Sequence, residues 1–313
     1  MMSDKEKNFV SAIIYVHNVQ NQIGEFLSAI INLLETNFEH SEIICVNDSS
    51  DDKSVEIIKQ YSQAAKSTNI SLLNMSYFHG LEFAMDAGVD LSIGDFVFEF
   101  DNTVLDFSPD VVMKVYRHSL EGFDIVSASA DKKIKFSSRL FYKVFDRFSD
   151  VAYAMNTESF RLLSRRVINR IGSMNKMIPY RKAVYANSGL KTDNIKYPPK
   201  QISNGNMDKR ESKYRFGLAV DTLILFTEFG YRFAKAMTIL MMLMSIFMLL
   251  YALTVFITGA AVEGWTTTVL FLAVTFFGLF GILTIIVKYL QLIVNLIFKR
   301  KHYNFESIEK LTK

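Results

Sequence analysis

Apolar and polar positions alternate in blocks over the first 130 residues, and the blocks change period as they go. Phe9–Val16 is an apolar run rich in β-branched residues, and Asn21–Thr36 then carries Phe26, Ile30 and Leu33 or Leu34 at helical spacing. The alternation repeats. Ile43–Val46 gives way to a helical pattern over Val55–Ala65, and Ile70–Met75 leads through Gly80 into a helical stretch ending near Ile93. Asp95–Phe100, Pro109–Leu120 and Phe123–Ala130 follow as strand, helix and strand, with Pro109 well placed in the first turn of its helix. Strands alternating with helices predict an α/β domain built on a mostly parallel sheet.

The pattern changes twice more. From Lys135 the alternation weakens and arginines and lysines accumulate, up to a loop-like stretch over 197–208 and then Arg210-Glu211-Ser212-Lys213-Tyr214. Residues 218–233 read as an amphipathic helix, with ordinary packing and a membrane surface as equal alternatives for its apolar face. After Lys235 no charge occurs over Ala236–Val262, nor over Gly264–Val287. Each run exceeds the roughly 20 apolar residues that cross a bilayer as a helix, so two spans are expected. Arg232 and Lys235 before the first and Lys299, Arg300 and Lys301 after the second place both ends in the cytoplasm, with Trp265 at the far interface. The expected organisation is a soluble domain over 1–215, with an acceptor-side region over 160–215, a juxtamembrane helix over 216–234, a transmembrane hairpin over 235–301, and a short solvated cytoplasmic tail over 302–313. The amino end lacks the apolar core of a signal peptide, so the domain is expected to stay cytoplasmic.

Composition narrows the chemistry. Cys45 is the only cysteine, which excludes an internal disulfide or a cysteine zinc cluster and leaves the role of a small buried apolar residue. A formal net charge of +3, without a dense basic stripe in the soluble part, gives no case for nucleic acid. Ile43–Ser54 carries the first functional signal, because an apolar strand ends abruptly in Asn47-Asp48-Ser49-Ser50 before a helix. Ligands in open α/β sheets bind beyond the carboxyl ends of the strands, although Ser50 or Asp51 capping the helix would explain the same residues.

Asn18, Asp48, Gly80, Ala84, Gly88, Gly94-Asp95 and Asp101 occur in that order, followed by Phe160-Arg161-Leu162, Arg165, Arg210-x-Ser212-Lys213-Tyr214 and the two apolar runs. The set resembles family 2 glycosyltransferases, and within them the polyprenyl-phosphate glycosyltransferases. The resemblance implies a GT-A type, Rossmann-like nucleotide-sugar domain on a cytoplasmic membrane face, in bacteria the inner membrane, moving one sugar to a lipid phosphate. It implies donor contacts at Asn18, Asp48 and Asp95, catalytic roles for Asp101 and Arg161, and acceptor-phosphate contacts at Arg165, Arg210, Ser212 and Lys213. It also implies Mg²⁺ or Mn²⁺ at Asp101, and it leaves room for a homo-oligomer. Arginines suit the acceptor because they keep their charge and bind phosphate through two N–H groups at once.

Several positions depart from the family's pattern. Asn18 stands without the usual neighbouring carboxylate, since Val19 follows it, and Asn47-Asp48 replaces a pair of aspartates. The metal motif reads Asp101-Asn102-Thr103, which should hold a divalent ion less well, with Asp106 or a shifted Glu99–Asp101 pair as possible help. Ser159 stands where an aspartate commonly precedes Phe-Arg-Leu, Glu158 being expected to point away. These departures motivate a second reading, a relative that has lost turnover and serves as a membrane-bound binding or assembly partner in surface-glycan synthesis. A processive synthase fits less well, as no Gln-x-x-Arg-Trp motif is present.

Overall fold

A computed structural model describes residues 5–131, 158–173, 181–186, 188–200, 265–298 and 303–312, with isolated positions between 217 and 247. The expected alternation is there: β1 (Val10–Val16), α1 (Ile23–Asn37), β2 (Ser41–Asn47), α2 (Ser54–Ser62), β3 (Asn69–Met75), α3 (Leu81–Leu91), β4 (Phe96–Phe100), α4 (Pro109–Leu120) and β5 (Ile125–Ala130). Beyond these come β6 (Phe160–Ser164), α5 (Arg165–Ser173), α6 (Arg181–Ala186), β7 (Thr192–Tyr197), α7 (Trp265–Phe298) and β8 (Phe305–Lys310). Of the second group only α7 was legible as an element.

The strands form one sheet in the order β7-β5-β6-β4-β1-β2-β3-β8. β4, β1, β2 and β3 run parallel, as do β5 and β7, whereas β6 is antiparallel to both its neighbours and β8 is antiparallel to β3. All seven residues of β1 are buried, because helices cover both faces of the strand and make its apolar run continuous. Val10, Ala12, Ile14 and Val16 join a core with α1 and α4, and Ile13 and Tyr15 join one with α3. Gly88 lets α3 approach that closely: a Cβ there would lie 2.5 Å from Ile13 Cγ2 and 2.8 Å from Val46 Cγ2. Cys45 is fully buried, and burial pushes its thiol up to about 12, as befits an inert core residue.

The end of the chain departs from expectation. Residues after 302 are not a solvated tail: β8 extends the edge of β3 from Ser71↔Lys310 to Met75↔Phe305, and Leu311 packs against the core. An unpaired strand edge invites pairing, and β8 occupies this one. Two compact units result, one comprising Met1–Asp146, Val151–Leu218 and Lys301–Lys313, the other Arg147–Asp150 and Ala219–Arg300. The first expected span and the amphipathic helix over 218–233 lie largely outside the described residues. The backbone of α7 is helical for 34 residues. Among the residues described down to their side chains, however, no helix is long and apolar enough to cross a membrane.

At the other side of the sheet His118 ties α4 to β7. Its Nε2 lies 2.6 Å from Asp193 Oδ2 and its Nδ1 2.9 Å from Glu121 Oε2, with the ring stacked on Phe123. The Asp193 contact, then that of Glu121, raises the imidazole's pKa, and the same contact lowers that of Asp193. A raised histidine stabilises the fold below its ordinary value of about 6.5 and loses that contribution as pH rises through the raised value. His118→Ala should therefore lower the urea midpoint at about pH 5.5 and leave it almost unchanged at about pH 9. A deficit that grows with pH would contradict the ion-pair assignment.

Candidate active site at the carboxyl edge of the sheet

Because β1, β2, β3 and β4 are parallel, their carboxyl ends bring His17-Asn18, Asn47-Asp48, Ser76-Tyr77 and Asp101 to one edge, where antiparallel β6 begins with Phe160-Arg161. Backbone strain marks this edge. Asn18 and Ser49 are the described non-glycine residues with positive φ, at 51° and 55°. Asn18 Oδ1 accepts from Asp51 N–H at 2.9 Å, and its own N–H donates to Ser50 Oγ, so the ends of β1 and β2 brace one another. Neither Ser50 nor Asp51 caps α2. The N-cap position is Lys53, which makes no side-chain cap, and Asp52 beside it accepts from Ser54 N–H and Gln20 N–H at 2.9 Å each.

Asp48 is fully buried. Its Oδ2 accepts from the Tyr15 hydroxyl at 3.0 Å and Gly80 N–H at 2.8 Å, and its Oδ1 from His79 N–H at 2.7 Å. Gly80, at φ 85° before α3, permits this approach. The carboxylate thus clasps the β3–α3 loop rather than reaching outward. His17 lies beside it: its Nδ1 is 2.7 Å from Asp48 O, a carbonyl that can only accept, so the ring proton sits on Nδ1, and the ring packs on Phe78.

At the end of β4 a charged cluster sits under the edge. The register pairs Glu99 with Arg161, and Asp101, two residues on, shares the face of Glu99. Arg161 donates from Nη1 to Glu99 (2.8 Å), from Nη2 to Asp101 Oδ2 (2.7 Å) and from Nε to Glu158 (2.9 Å). Arg181, at the start of α6, donates from Nη1 to Glu99, from Nη2 to Asp101 Oδ1 (2.8 Å) and from Nε to Glu82 (3.1 Å). Tyr185 donates its hydroxyl to Glu99, and Arg161 lies over its ring. Glu158 therefore turns toward the cluster, contrary to the expectation for an extended segment, and lies 3.8 Å from Lys182 Nζ. Ser159 Oγ lies 2.6 Å from the Tyr197 hydroxyl, which donates to Asp106.

This arrangement engages the oxygens that were expected to meet a metal at Asp101. Both of its oxygens already accept from a guanidinium, Asp106 accepts from Tyr197, and Thr103 is engaged with Gln22. Burial alone would raise the Asp101 pKa, but the charges of Arg161 and Arg181 hold it well below the carboxylate range. Among the described residues no group of three His, Cys, Asp or Glu side chains is placed to hold a metal ion. Among the described residues the donor set does not fit Mg²⁺ or Mn²⁺, and Asp101 and Arg161 pair with one another inside a buried charged cluster.

Two other expected site residues lie at the opposite edge. Asp95 precedes β4, where its Oδ2 accepts from Phe9 N–H, and Arg165 follows β6, donating from Nε to Gly94 O at 2.8 Å. The five residues of β4 lie between Asp95 and Asp101, about 20 Å at the rise of a strand. Neither reaches a ligand at the carboxyl edge. Arg210, Ser212 and Lys213 lie outside the described residues. Glu82, Arg181 and Tyr185 were missed from the sequence, although a glutamate within Phe98-Glu99-Phe100 signals that buried partners must exist.

A family model described as glycosyl transferase family 2 matches residues 11–172, just over half of the chain. An uncharacterised glycosyltransferase of Synechocystis sp. is 28% identical over 183 residues, 56% of this chain and 57% of that protein. A prophage bactoprenol glucosyl transferase homologue of Escherichia coli is 28% identical over 198 residues, 60% of this chain and 62% of that protein. An undecaprenyl-phosphate 4-deoxy-4-formamido-L-arabinose transferase of Edwardsiella ictaluri is 33% identical over 127 residues, 40% of this chain and 38% of that protein. Each of these three matches covers less than two thirds of the relative's length. A mannosyl-3-phosphoglycerate synthase structure from Rubrobacter xylanophilus superposes with a TM-score of 0.51 at 18% identity, covering 69% of this chain and 74% of that one. At that identity the likeness shows the fold alone.

Proposed function

This chain belongs to glycosyl transferase family 2, and on that premise we propose that it moves one sugar from a nucleotide-sugar donor to a polyprenyl phosphate at the cytoplasmic face of a bacterial inner membrane. The observation that carries the lipid acceptor is β8. Residues 219–300 leave the sheet-bearing unit and the chain then returns to pair with β3. A segment that departs from and rejoins one folded unit crosses a membrane an even number of times, if at all. That supports the two-span hairpin over 235–301, with both of its flanks on one side of the membrane. The names of the bactoprenol and undecaprenyl-phosphate relatives support the same acceptor class.

In this reading an oxygen of the lipid phosphate attacks the anomeric carbon as the bond to the donor's diphosphate breaks, with inversion by family resemblance. The acceptor is already ionised, so the reaction needs no general base. Asn18 at the exposed rim contacts the donor, and Asp48 acts at one remove by holding the β3–α3 loop. Asp101 and Arg161 are positioning residues, fixing the floor of the site. Arg210 and Lys213 supply charge to the phosphates, together with Ser212 as a hydroxyl donor.

A second reading, a relative that binds donor without turnover, is favoured by one observation: the carboxylate standing at the metal motif is already neutralised by two arginines. Vesicles containing the full chain, with a panel of nucleotide sugars and undecaprenyl phosphate, separate the two. Turnover of any donor supports the transferase. Calorimetric donor binding without turnover supports the second reading, and the absence of both removes the two together.

A further inference from the structure

The β3–α3 loop is held from two sides at the carboxyl edge. Asp48 takes the N–H groups of His79 and Gly80. From the other side Asn304, just before β8, accepts from Ser76 N–H through its carbonyl and donates its own N–H to His79 Nε2 at 3.1 Å. With Nε2 an acceptor, the His79 proton sits on Nδ1 and faces Tyr77 O at 2.6 Å, which fixes the tautomer and the plane of the ring. Tyr77 stacks on that plane with ring centroids 4.0 Å apart and 17° between planes, and it remains 55% exposed. Phe305, opposite Met75 at the same edge, is also exposed at 50%.

Tyr77 is thus backed on one face by an imidazole held at both of its nitrogens, and more than half of its surface is open to solvent. The stack leaves Tyr77 little rotational freedom to lose when a flat ligand binds. Aromatic rings bind nucleobases by stacking with little base preference, because every base has a π-face. We propose that Tyr77, backed by His79 and held through Asn304 by the carboxyl-terminal strand, is the platform on which the donor's nucleobase stacks. The proposal rests on the nucleotide-sugar reading above. It makes the chain that follows the apolar segment a structural part of the donor site.

The test is calorimetric titration of the full-length protein in detergent with uridine diphosphate, guanosine diphosphate and inorganic pyrophosphate. Tyr77→Ala is expected to weaken whichever nucleoside diphosphate the wild type binds by roughly tenfold, within the range measured for base–aromatic stacking. Tyr77→Phe, which keeps the ring, should stay within about twofold, and Tyr77→Ala should leave pyrophosphate affinity as it is in the wild type. Unchanged nucleoside diphosphate affinity in Tyr77→Ala overturns the platform and leaves the transferase reading intact. Equal weakening toward pyrophosphate also overturns it, since the ring would then act through the phosphates or the fold. A wild type that binds no nucleoside diphosphate overturns both.

Discussion

Asp101→Ala is expected to destabilise the sheet-bearing unit by about 3–5 kcal/mol, the usual cost of removing one partner from a buried ion pair. The change strips one acceptor from Arg161 and one from Arg181, both nearly inaccessible to water, and leaves two buried guanidinium groups short of a partner. The measurement is a urea unfolding midpoint by circular dichroism on the full chain, wild type and variant, with Mg²⁺ or a chelator. A carboxylate held by arginines predicts a large drop that is the same in both conditions. A carboxylate kept for a metal predicts a midpoint that holds or rises on substitution, with Mg²⁺ stabilising only the wild type. The cluster is also fragile on its anionic side. Four carboxylates, Glu82, Glu99, Asp101 and Glu158, face three cations, Arg161, Arg181 and Lys182, so losing any one cation enlarges an excess of negative charge that is already there.

Asp48→Ala should cost about 3 kcal/mol, because the Tyr15 hydroxyl and the N–H groups of His79 and Gly80 lose their acceptor together. Its effect should be local. Hydrogen exchange at the His79 and Gly80 amides is expected to accelerate, while amides of the β5–β7 ladder keep their protection. Equal acceleration across both regions would mean that Asp48 serves the whole fold rather than the donor loop.

The architecture was legible wherever one element's own residues decide it. β1 to β5 and their helices follow from period and punctuation, since each strand is buried on both faces and each helix on one. β6 and β7 were not legible, because antiparallel β6 enters the sheet between β4 and β5 after a stretch without clear periodicity. β8 was missed for a different reason. Phe305-Glu306-Ser307-Ile308-Glu309-Lys310 reads as a polar tail, and only its pairing with β3 makes it a strand. The site shows the same division. Asp48 lies at the end of β2, where the apolar run breaks off, and Asn18 lies just past β1, where the resemblance puts it. Asp95 and Arg165 matched the family pattern in order along the chain, but Asp95 precedes a parallel strand and Arg165 ends an antiparallel one, which puts both at the other edge. Arg181 reaches Glu99 across 82 positions of sequence, and no local pattern carries that contact.

The account as a whole rests on the product. Nucleotide sugar labelled in the sugar, given to vesicles with the full chain and undecaprenyl phosphate, should yield label in the organic phase. Mass spectrometry of that phase should show one sugar per polyprenyl phosphate, formed only when the lipid is supplied. Label found solely as free sugar, as a polymer, or in the organic phase without added or endogenous polyprenyl phosphate would contradict it.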